Sequence, residues 1–269
     1  MLIEQTLYGE RNKVEMAIAR LKLHEPKEGY YVAFSGGKDS CVVLDLCKRA
    51  GVKYDAHYNL TTVEPPELVR FIKKFHPDIW ETRTKPQKTM WQLIEENGIP
   101  PTRFARYCCK ILKEGGGIGR TVITGVRWQE SSRRAKYSMV ETCRHHKNKQ
   151  YLHPIIDWTE AEVWEYIHKY NLPYCELYDQ GFKRLGCLMC PFGSAKQRKH
   201  DAERWVKYAE NYKRACQRAI ELKRKKGNEP LFQTGEEMFE WWISDKSANE
   251  KEDEKLIPLF GLMGDESML

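Results

Sequence analysis

Tyr30-Tyr31-Val32-Ala33-Phe34 runs into Ser35-Gly36-Gly37-Lys38-Asp39-Ser40 and then into Cys41-Val42-Val43-Leu44-Asp45-Leu46. An aromatic and β-branched run that ends in two glycines and a serine, then takes up helical spacing, predicts a strand, a tight loop and a helix start. Adjacent glycines allow positive φ and close backbone approach, and the following helix turns its free N–H groups and positive end toward the same point. Lys38 adds a point charge, Ser35 and Ser40 add hydroxyl donors, and Asp39 is placed to hold a magnesium ion that bridges phosphates. The stretch therefore predicts a phosphate-holding loop at the end of a strand. Its spacing fits neither Gly-x-x-x-x-Gly-Lys-Ser/Thr nor Gly-x-Gly-x-x-Gly.

The chain around this loop alternates strands and helices. Val14, Ala17, Ile18 and Leu21 predict an amphipathic helix over residues 10–23. Strands are expected over residues 52–60, 78–82 and 121–126, with helices over residues 67–75 and 87–96, the latter closed by Asn97-Gly98. Thr159 and Glu162 form a capping box for a helix ended by Asn171-Leu172-Pro173. Such alternation predicts an α/β fold with a mostly parallel sheet and helices on both faces, in which ligands sit beyond the carboxyl ends of the strands. Three of those ends carry suggestive residues: the loop itself, Thr62 near Glu64, and Gly125-Val126-Arg127 followed by Arg133-Arg134. Clustered guanidinium groups suit a terminal phosphate or sulfate, whose oxygens they bind in pairs.

Beyond Cys190 the composition changes. Residues 196–226 are rich in Lys and Arg, while Trp205, Ala209, Tyr212, Cys216, Ala219 and Leu222 recur at helical spacing. One long helix with a packed face and a basic face is expected, followed by a helix over residues 236–243 and a charged, mobile turn over residues 249–255. The organisation predicted is an N-terminal helix (1–25), a nucleotide-loop domain that includes the cysteines (26–195) and a basic helical extension (196–269). The formal net charge of +7 permits a polyanionic partner without demanding one. No stretch is long and apolar enough to span a bilayer, and the N-terminus lacks a basic segment followed by an apolar run, so a cytoplasmic protein without membrane contact is expected.

Nine cysteines in a reducing compartment are not expected to form a disulfide framework. Cys108 and Cys109 are adjacent, and Cys187-Leu188-Met189-Cys190 is a Cys-x-x-Cys, so a fold that joins the pairs presents four thiolates. These suit an iron–sulfur cluster or a structural zinc ion, with Arg106, Lys110, Lys113 and Arg184 offsetting the negative charge. Adjacent ligands crowd a single zinc ion. Cys143-Arg144-His145-His146 reads as a polar loop, Cys41 and Cys47 as small buried hydrophobes, and Cys175 and Cys216 as structural.

The loop resembles the pyrophosphate loop of N-type ATP pyrophosphatases and of adenylyl-sulfate and phosphoadenylyl-sulfate reductases. His153-Pro154-Ile155-Ile156-Asp157-Trp158-Thr159, Glu162-Val163-Trp164, Leu172-Pro173-Tyr174 and Leu177-Tyr178-Asp179-Gln180-Gly181 extend the resemblance to the phosphoadenylyl-sulfate (PAPS) reductase family over roughly residues 25–195. The resemblance implies an adenine nucleotide α-hydrolase-like, Rossmann-like sheet. It also implies that Cys108, Cys109, Cys187 and Cys190 match the 4Fe-4S ligand set of adenylyl-sulfate reductases, zinc being the alternative occupant.

One departure bears on mechanism. The assimilatory reductases attack the sulfur of the nucleotide with a cysteine in a C-terminal Glu-Cys-Gly motif, whereas the last cysteine here is Cys216 and residues 259–269 carry no thiol. Related pyrophosphate-loop proteins include the ATP pyrophosphatase of DNA phosphorothioation and tRNA thiolases. The resemblance therefore implies an ATP pyrophosphatase and sulfur transferase that uses magnesium, activates an acceptor such as nucleic acid gripped by the basic C-terminal helix, and works with a sulfur or electron donor protein. Lys38 and Asp39 would be the catalytic pair, with Ser35, Gly36, Gly37, Ser40, Thr62, Gly125, Arg127, Arg133 and Arg134 completing the nucleotide contacts. The alternatives are an oxidoreductase that releases sulfite from a sulfated adenylate with an atypical or partner-supplied thiol, and a nucleotide-binding protein without turnover.

Overall fold

The computed structural model describes residues 1–7, 9–143 and 148–244. In chain order its elements are β1 (Ile3–Thr6), β2 (Gly9–Asn12), α1 (Lys13–Leu23), β3 (Tyr30–Ala33), α2 (Lys38–Ala50), β4 (Tyr54–His57), α3 (Pro66–Phe75), α4 (Pro77–Glu81) and α5 (Met90–Asn97). There follow α6 (Tyr107–Leu112), β5 (Thr121–Ile123), β6 (Val140–Thr142), β7 (Gln150–Leu152), α7 (Glu160–Lys169), α8 (Ala195–Arg204), α9 (Val206–Lys225) and α10 (Gly235–Ile243). They divide into two compact units, the first made of residues 1–59, 66–84 and 115–185, the second of residues 60–65, 85–114 and 186–269.

The first unit is the expected Rossmann-like α/β layer. Its five-stranded sheet has the order β4-β3-β5-β7-β6, parallel throughout except for β6, which runs antiparallel along the edge. Tyr31 pairs with Val122 and Asp55, so the loop-bearing strand β3 lies inside the sheet. Val32, Val42, Leu46, Ile123, Leu152 and Ile155 are buried around it. Helices α1 and α7 both pack on α2; Tyr30 Oη on β3 donates to Leu21 O on α1, and Tyr166 Oη on α7 donates to Asp45 on α2, at 2.8 and 2.7 Å. Both members of the Thr159 and Glu162 capping box are present at the start of α7.

Three expectations are corrected here. Residues 78–81 lie in α4, with Thr82 as its C-cap, rather than in a strand, because Pro77 sits in the first helical turn with its φ already set, and Trp80 N then bonds back to His76 O. The helix expected from residue 10 begins at Lys13, since Gly9–Asn12 pairs with Ile3–Thr6 as a hairpin and the Asn12 side chain accepts from Val14 N and Glu15 N. The strands over residues 52–60 and 121–126 shorten to Tyr54–His57 and Thr121–Ile123.

The second unit is helical. α5 and α10 pack on α9, with Trp91 edge-on to Tyr212 at 4.8 Å and Tyr212 against Trp242 at 4.7 Å. Leu93, Ile94, Ala215, Cys216 and Ala219 are fully buried there. The single long helix expected over residues 196–226 is broken at Trp205, whose ψ of 62° ends α8 and starts α9. The break lets α8 turn Arg198 and Asp201 inward while α9 keeps its small apolar face on α5. The turn expected over residues 249–255 lies outside the described residues. No helix among those described is long and apolar enough to cross a membrane.

Candidate functional site: an anion cradle and a four-cysteine site

In the first unit β3 delivers the chain into the loop and α2 takes it away. Gly36 has φ of 74°, and a β-carbon there would stand 2.8 Å from Ile72 Cδ1, so glycine alone lets the loop press onto α3. Gly37 is the N-cap of α2 and supplies no side chain to its N–H groups; the first of them, Lys38 N, is taken by Tyr178 Oη, and the positive end of the thirteen-residue helix faces the loop. Ser40 Oγ donates to Gly37 O at 2.8 Å and accepts from Ser35 N at 3.3 Å, closing the loop on itself.

Lys38 and Arg127 are each only 4% exposed. Burying two cations needs partners, and the structure supplies them. Lys38 Nζ lies 3.4 Å from Asp39 and 3.5 Å from Glu160, and donates to Lys183 O at 3.3 Å. Arg127 Nε donates to Asp39 Oδ1 at 2.6 Å, and Arg127 N donates to Glu130 at 2.9 Å. Gly125 makes this possible: a β-carbon on it would stand 2.9 Å from Asp39 Cβ and 3.0 Å from the Asp39 carbonyl carbon. Asp39 thus joins the loop lysine to the arginine that follows β5.

Of the residues expected at the nucleotide site, the fold gathers Ser35, Gly36, Gly37, Lys38, Asp39, Ser40, Gly125 and Arg127. Arg134 is paired with Glu130, and Arg133 is exposed on a short helical turn. Thr62 belongs to the second unit, where its Oγ1 accepts from Met90 N at 3.0 Å at a φ of 71°. The sequence reading missed Tyr178 and Glu160 as loop partners. Tyr178 Oη accepts from Lys38 N at 2.9 Å, and its ring lies 5.4 Å from Lys38 Nζ. Burial pushes the Tyr178 hydroxyl above its ordinary range, so it stays protonated.

Both cysteine pairs belong to the second unit. Cys108 hydrogen-bonds to Cys109 on α6, which raises the Cys108 thiol and lowers that of Cys109, with Lys113 and Arg106 lowering Cys109 further. Cys187 and Cys190 add to the field on Cys108, and Cys187 is the main influence raising Lys113. Thr61 Oγ1 lies 3.3 Å from Cys187 Sγ.

The Cys-x-x-Cys turn is held at nearly every peptide. Leu188 N donates to Val63 O, and Leu188 O accepts from Tyr212 Oη at 3.3 Å. Met189, at a φ of 55°, donates its N–H to the buried Asp201 at 3.0 Å. Pro191 O accepts from Arg103 Nε at 2.9 Å, and Gly193 O from Arg198 Nη1 at 2.7 Å. Among the described residues no group of three or more His, Cys, Asp or Glu side chains is drawn together as a metal ion would require. In kind, however, four sulfurs flanked by Lys113 and Arg106 suit an iron–sulfur centre, and the turn carrying two of them is already fixed.

The other cysteines behave as structure. Burial pushes the Cys47 and Cys216 thiols up to about 12, too high for a thiolate near neutrality. Cys143 accepts from Tyr151 Oη at 4.0 Å, and Arg144, His145 and His146 lie outside the described residues. The basic face of α8 and α9 is in part engaged internally: Lys213 pairs with Glu210 and Glu236, Arg218 with Glu95, and Arg224 bonds Gln233.

The phosphoadenosine phosphosulfate reductase domain model matches residues 29–192, more than half of the chain. An uncharacterized protein of Methanocaldococcus jannaschii is 36% identical over 168 residues, 59% of this chain and 40% of that protein. The chain thus spans about two fifths of the length of that relative. The adenosine 5′-phosphosulfate reductase of Oceanobacillus iheyensis is 30% identical over 183 residues, 65% of this chain and 76% of the enzyme. Among solved structures, phosphoadenylyl-sulfate (PAPS) reductase from Candida auris, in a phosphate complex, is 19% identical, covers 65% of this chain and 87% of its own, and has a TM-score of 0.49. With the domain model matched over residues 29–192, the chain belongs to the phosphoadenosine phosphosulfate reductase domain family.

Proposed function

We propose that the chain is an ATP pyrophosphatase that activates an acceptor oxygen for sulfur transfer. The observation that carries the reading is Asp39. Set between the buried Lys38 and Arg127, its carboxylate is an oxygen ligand that a magnesium polyphosphate can use and a metal-free sulfated adenylate cannot. In the reaction proposed, an acceptor oxygen attacks the α-phosphorus of ATP, the bond to the β-phosphate oxygen breaks, and pyrophosphate leaves. Lys38 and the start of α2 would stabilise the charge that gathers on pyrophosphate, and Tyr178 would hold the loop in register. Arg127, by fixing Asp39 at 2.6 Å, would orient the carboxylate toward magnesium.

Cys108, Cys109, Cys187 and Cys190 would hold a 4Fe-4S cluster, which when bound supplies a redox-active sulfur-ligated centre for the sulfur step. The acceptor proposed is nucleic acid, and a separate protein would deliver sulfur or electrons.

A second reading rests on a specific observation: the Oceanobacillus relative, which this chain covers over 76% of its length, is named as an adenosine 5′-phosphosulfate reductase. In that reading the cradle would take a sulfated adenylate and release sulfite with a thiol supplied from elsewhere. The test is a competition on anaerobically purified protein among Mg-ATP, adenylyl sulfate and phosphoadenylyl sulfate, with pyrophosphate and sulfite both measured. Magnesium-dependent pyrophosphate release, lost in Asp39→Asn, is the expected result. Sulfite from either sulfated nucleotide, with no preference for ATP, would overturn it in favour of the reductase.

A further inference from the structure

Within the second unit the loop before α6 and the loop after the Cys-x-x-Cys turn are tied together by two arginines. Arg103 donates from Nε to Pro191 O at 2.9 Å and from Nη2 to Gly193 O at 3.4 Å. The Arg106 guanidinium lies 4.7 Å from the centre of the Phe192 ring. On these same two loops stand two rings in water: Phe104 is 91% exposed and Phe192 48% exposed. Burying a phenylalanine is worth about 1.5–3 kcal/mol, of which Phe104 contributes almost nothing and the half-covered Phe192 only a part in this position.

The charge around the rings is mainly of one sign. Arg103, Arg106 and Lys110 lie within six residues of Phe104 in the chain, and Glu114 stands 3.6 Å from Arg106. The guanidinium of Arg103 donates to backbone carbonyls, which are neutral and leave its charge uncancelled. A stable protein interface takes about 800 Å² from each partner, and two phenylalanines of roughly 150–250 Å² supply well under that. A nucleic-acid base needs only a ring face, and its phosphate needs only a guanidinium or ammonium group.

The geometry points to a stacking platform for single-stranded nucleic acid, formed by Phe104 and Phe192 and flanked by Arg103, Arg106 and Lys110. It rests on the acceptor reading given above and makes it specific. The strand is held by its bases beside Cys109 rather than by its backbone along α9, where Lys213, Arg218 and Arg224 already have partners. An unpaired strand is required, because a duplex hides the ring faces that the phenylalanines would cover. Sequence preference is weak, since every base has a π-face.

The test is fluorescence anisotropy of labelled oligothymidylate of about twelve nucleotides, within the span such sites cover, against the full chain purified anaerobically, over a salt series. Phe104→Leu is expected to weaken binding about 5- to 150-fold, as loss of one stacked base does, and Phe104→Trp to restore it. Lys110→Gln is expected to lower the slope of log affinity against log salt by about 0.7 without affecting the Leu-to-Trp difference. Mg-ATP binding, measured on the same preparations, is expected to be equal in all Phe104 variants. Failure of ATP binding alone would therefore remove the pyrophosphatase reading and leave the platform standing. Equal oligonucleotide affinity for Phe, Leu and Trp at position 104, or a labelled duplex binding as tightly as the single strand, would overturn the platform.

Discussion

At the scale of single residues the loop depends on what glycine permits. Gly36 and Gly51 share a left-handed backbone, φ 74° and 67°, but a β-carbon on Gly36 strikes Ile72 and Leu68 while one on Gly51 meets nothing within 4 Å. Gly51→Ala is expected to cost only the backbone term, about 1–2 kcal/mol. Gly36→Ala adds overpacking against α3, for about 2–4 kcal/mol in all and a Tm lower by roughly 5–15 °C. It should also abolish nucleotide binding, which Gly51→Ala should leave intact; calorimetric titration of both variants with Mg-ATP checks the pair. His76 makes a different residue-scale statement. It is 8% exposed, stands 4.7 Å from the Phe34 ring and 5.6 Å from Phe71, and burial with Lys48 nearby lowers its pKa from 6.5 to about 4, against a smaller opposing pull from Asp78. The unfolded chain binds this proton more readily, so the stability is whole above pH 6.5 and is lost as pH falls toward 4. Between about pH 7.5 and about pH 5 the loss attributable to His76 is about 2 kcal/mol, and His76→Gln should remove that part of the pH dependence in urea titrations.

At the scale of elements, what could be read in the chain was whatever has a local signature. The strand, glycine loop and helix of residues 30–50 follow from adjacent residues, as do the capping box at Thr159 and the left-handed stop at Gly98, whose N–H bonds Ile94 O at 2.8 Å. The parallel sheet followed from the alternation of elements. Tyr178 and Glu160 against Lys38, Asp201 against Met189 and the antiparallel edge strand β6 have no such signature: the first three are pairings between residues apart in the chain, and a three-residue strand is too short to show a period. The break at Trp205 was hidden because the apolar spacing continues through it. α9 and α10 illustrate a contact that spacing cannot reveal either. A β-carbon on Gly235 would stand 2.5 Å from both Gln217 N and Lys213 O, backbone atoms that cannot swing aside. Helix propensity favours alanine over glycine by about 1 kcal/mol, yet overpacking against a neighbouring backbone costs about 1–3 kcal/mol or more. Gly235→Ala is therefore expected to destabilise the chain by about 2 kcal/mol, read as a lower urea midpoint with an unchanged slope.

At the scale of the whole molecule, the two units are woven from alternating stretches of one chain. The path leaves the first unit after residue 59, returns at 66, leaves again after 84, returns at 115 and departs at 186. The sheet, the glycine loop, Arg127, Glu160 and Tyr178 all belong to the first unit, whereas Cys187, Cys190 and the helix that covers α5 lie beyond residue 185. Ending the chain after Leu185 would leave residues 85–114 as a loop without its core, uncovering Met90, Leu93 and Ile94. Closing a flexible loop of that length costs about 3 kcal/mol, with only a slow further rise if it lengthens, which a sheet packed by α1, α2 and α7 can sustain. The truncated chain is expected to keep cooperative unfolding and Mg-ATP affinity within a few-fold, to bind a hydrophobic dye strongly and to take up no iron on reconstitution. Loss of nucleotide binding together with the sheet's circular dichroism would mean instead that the first unit draws its stability from the second, and the loop and the cysteines would then have to be treated as a single folding unit.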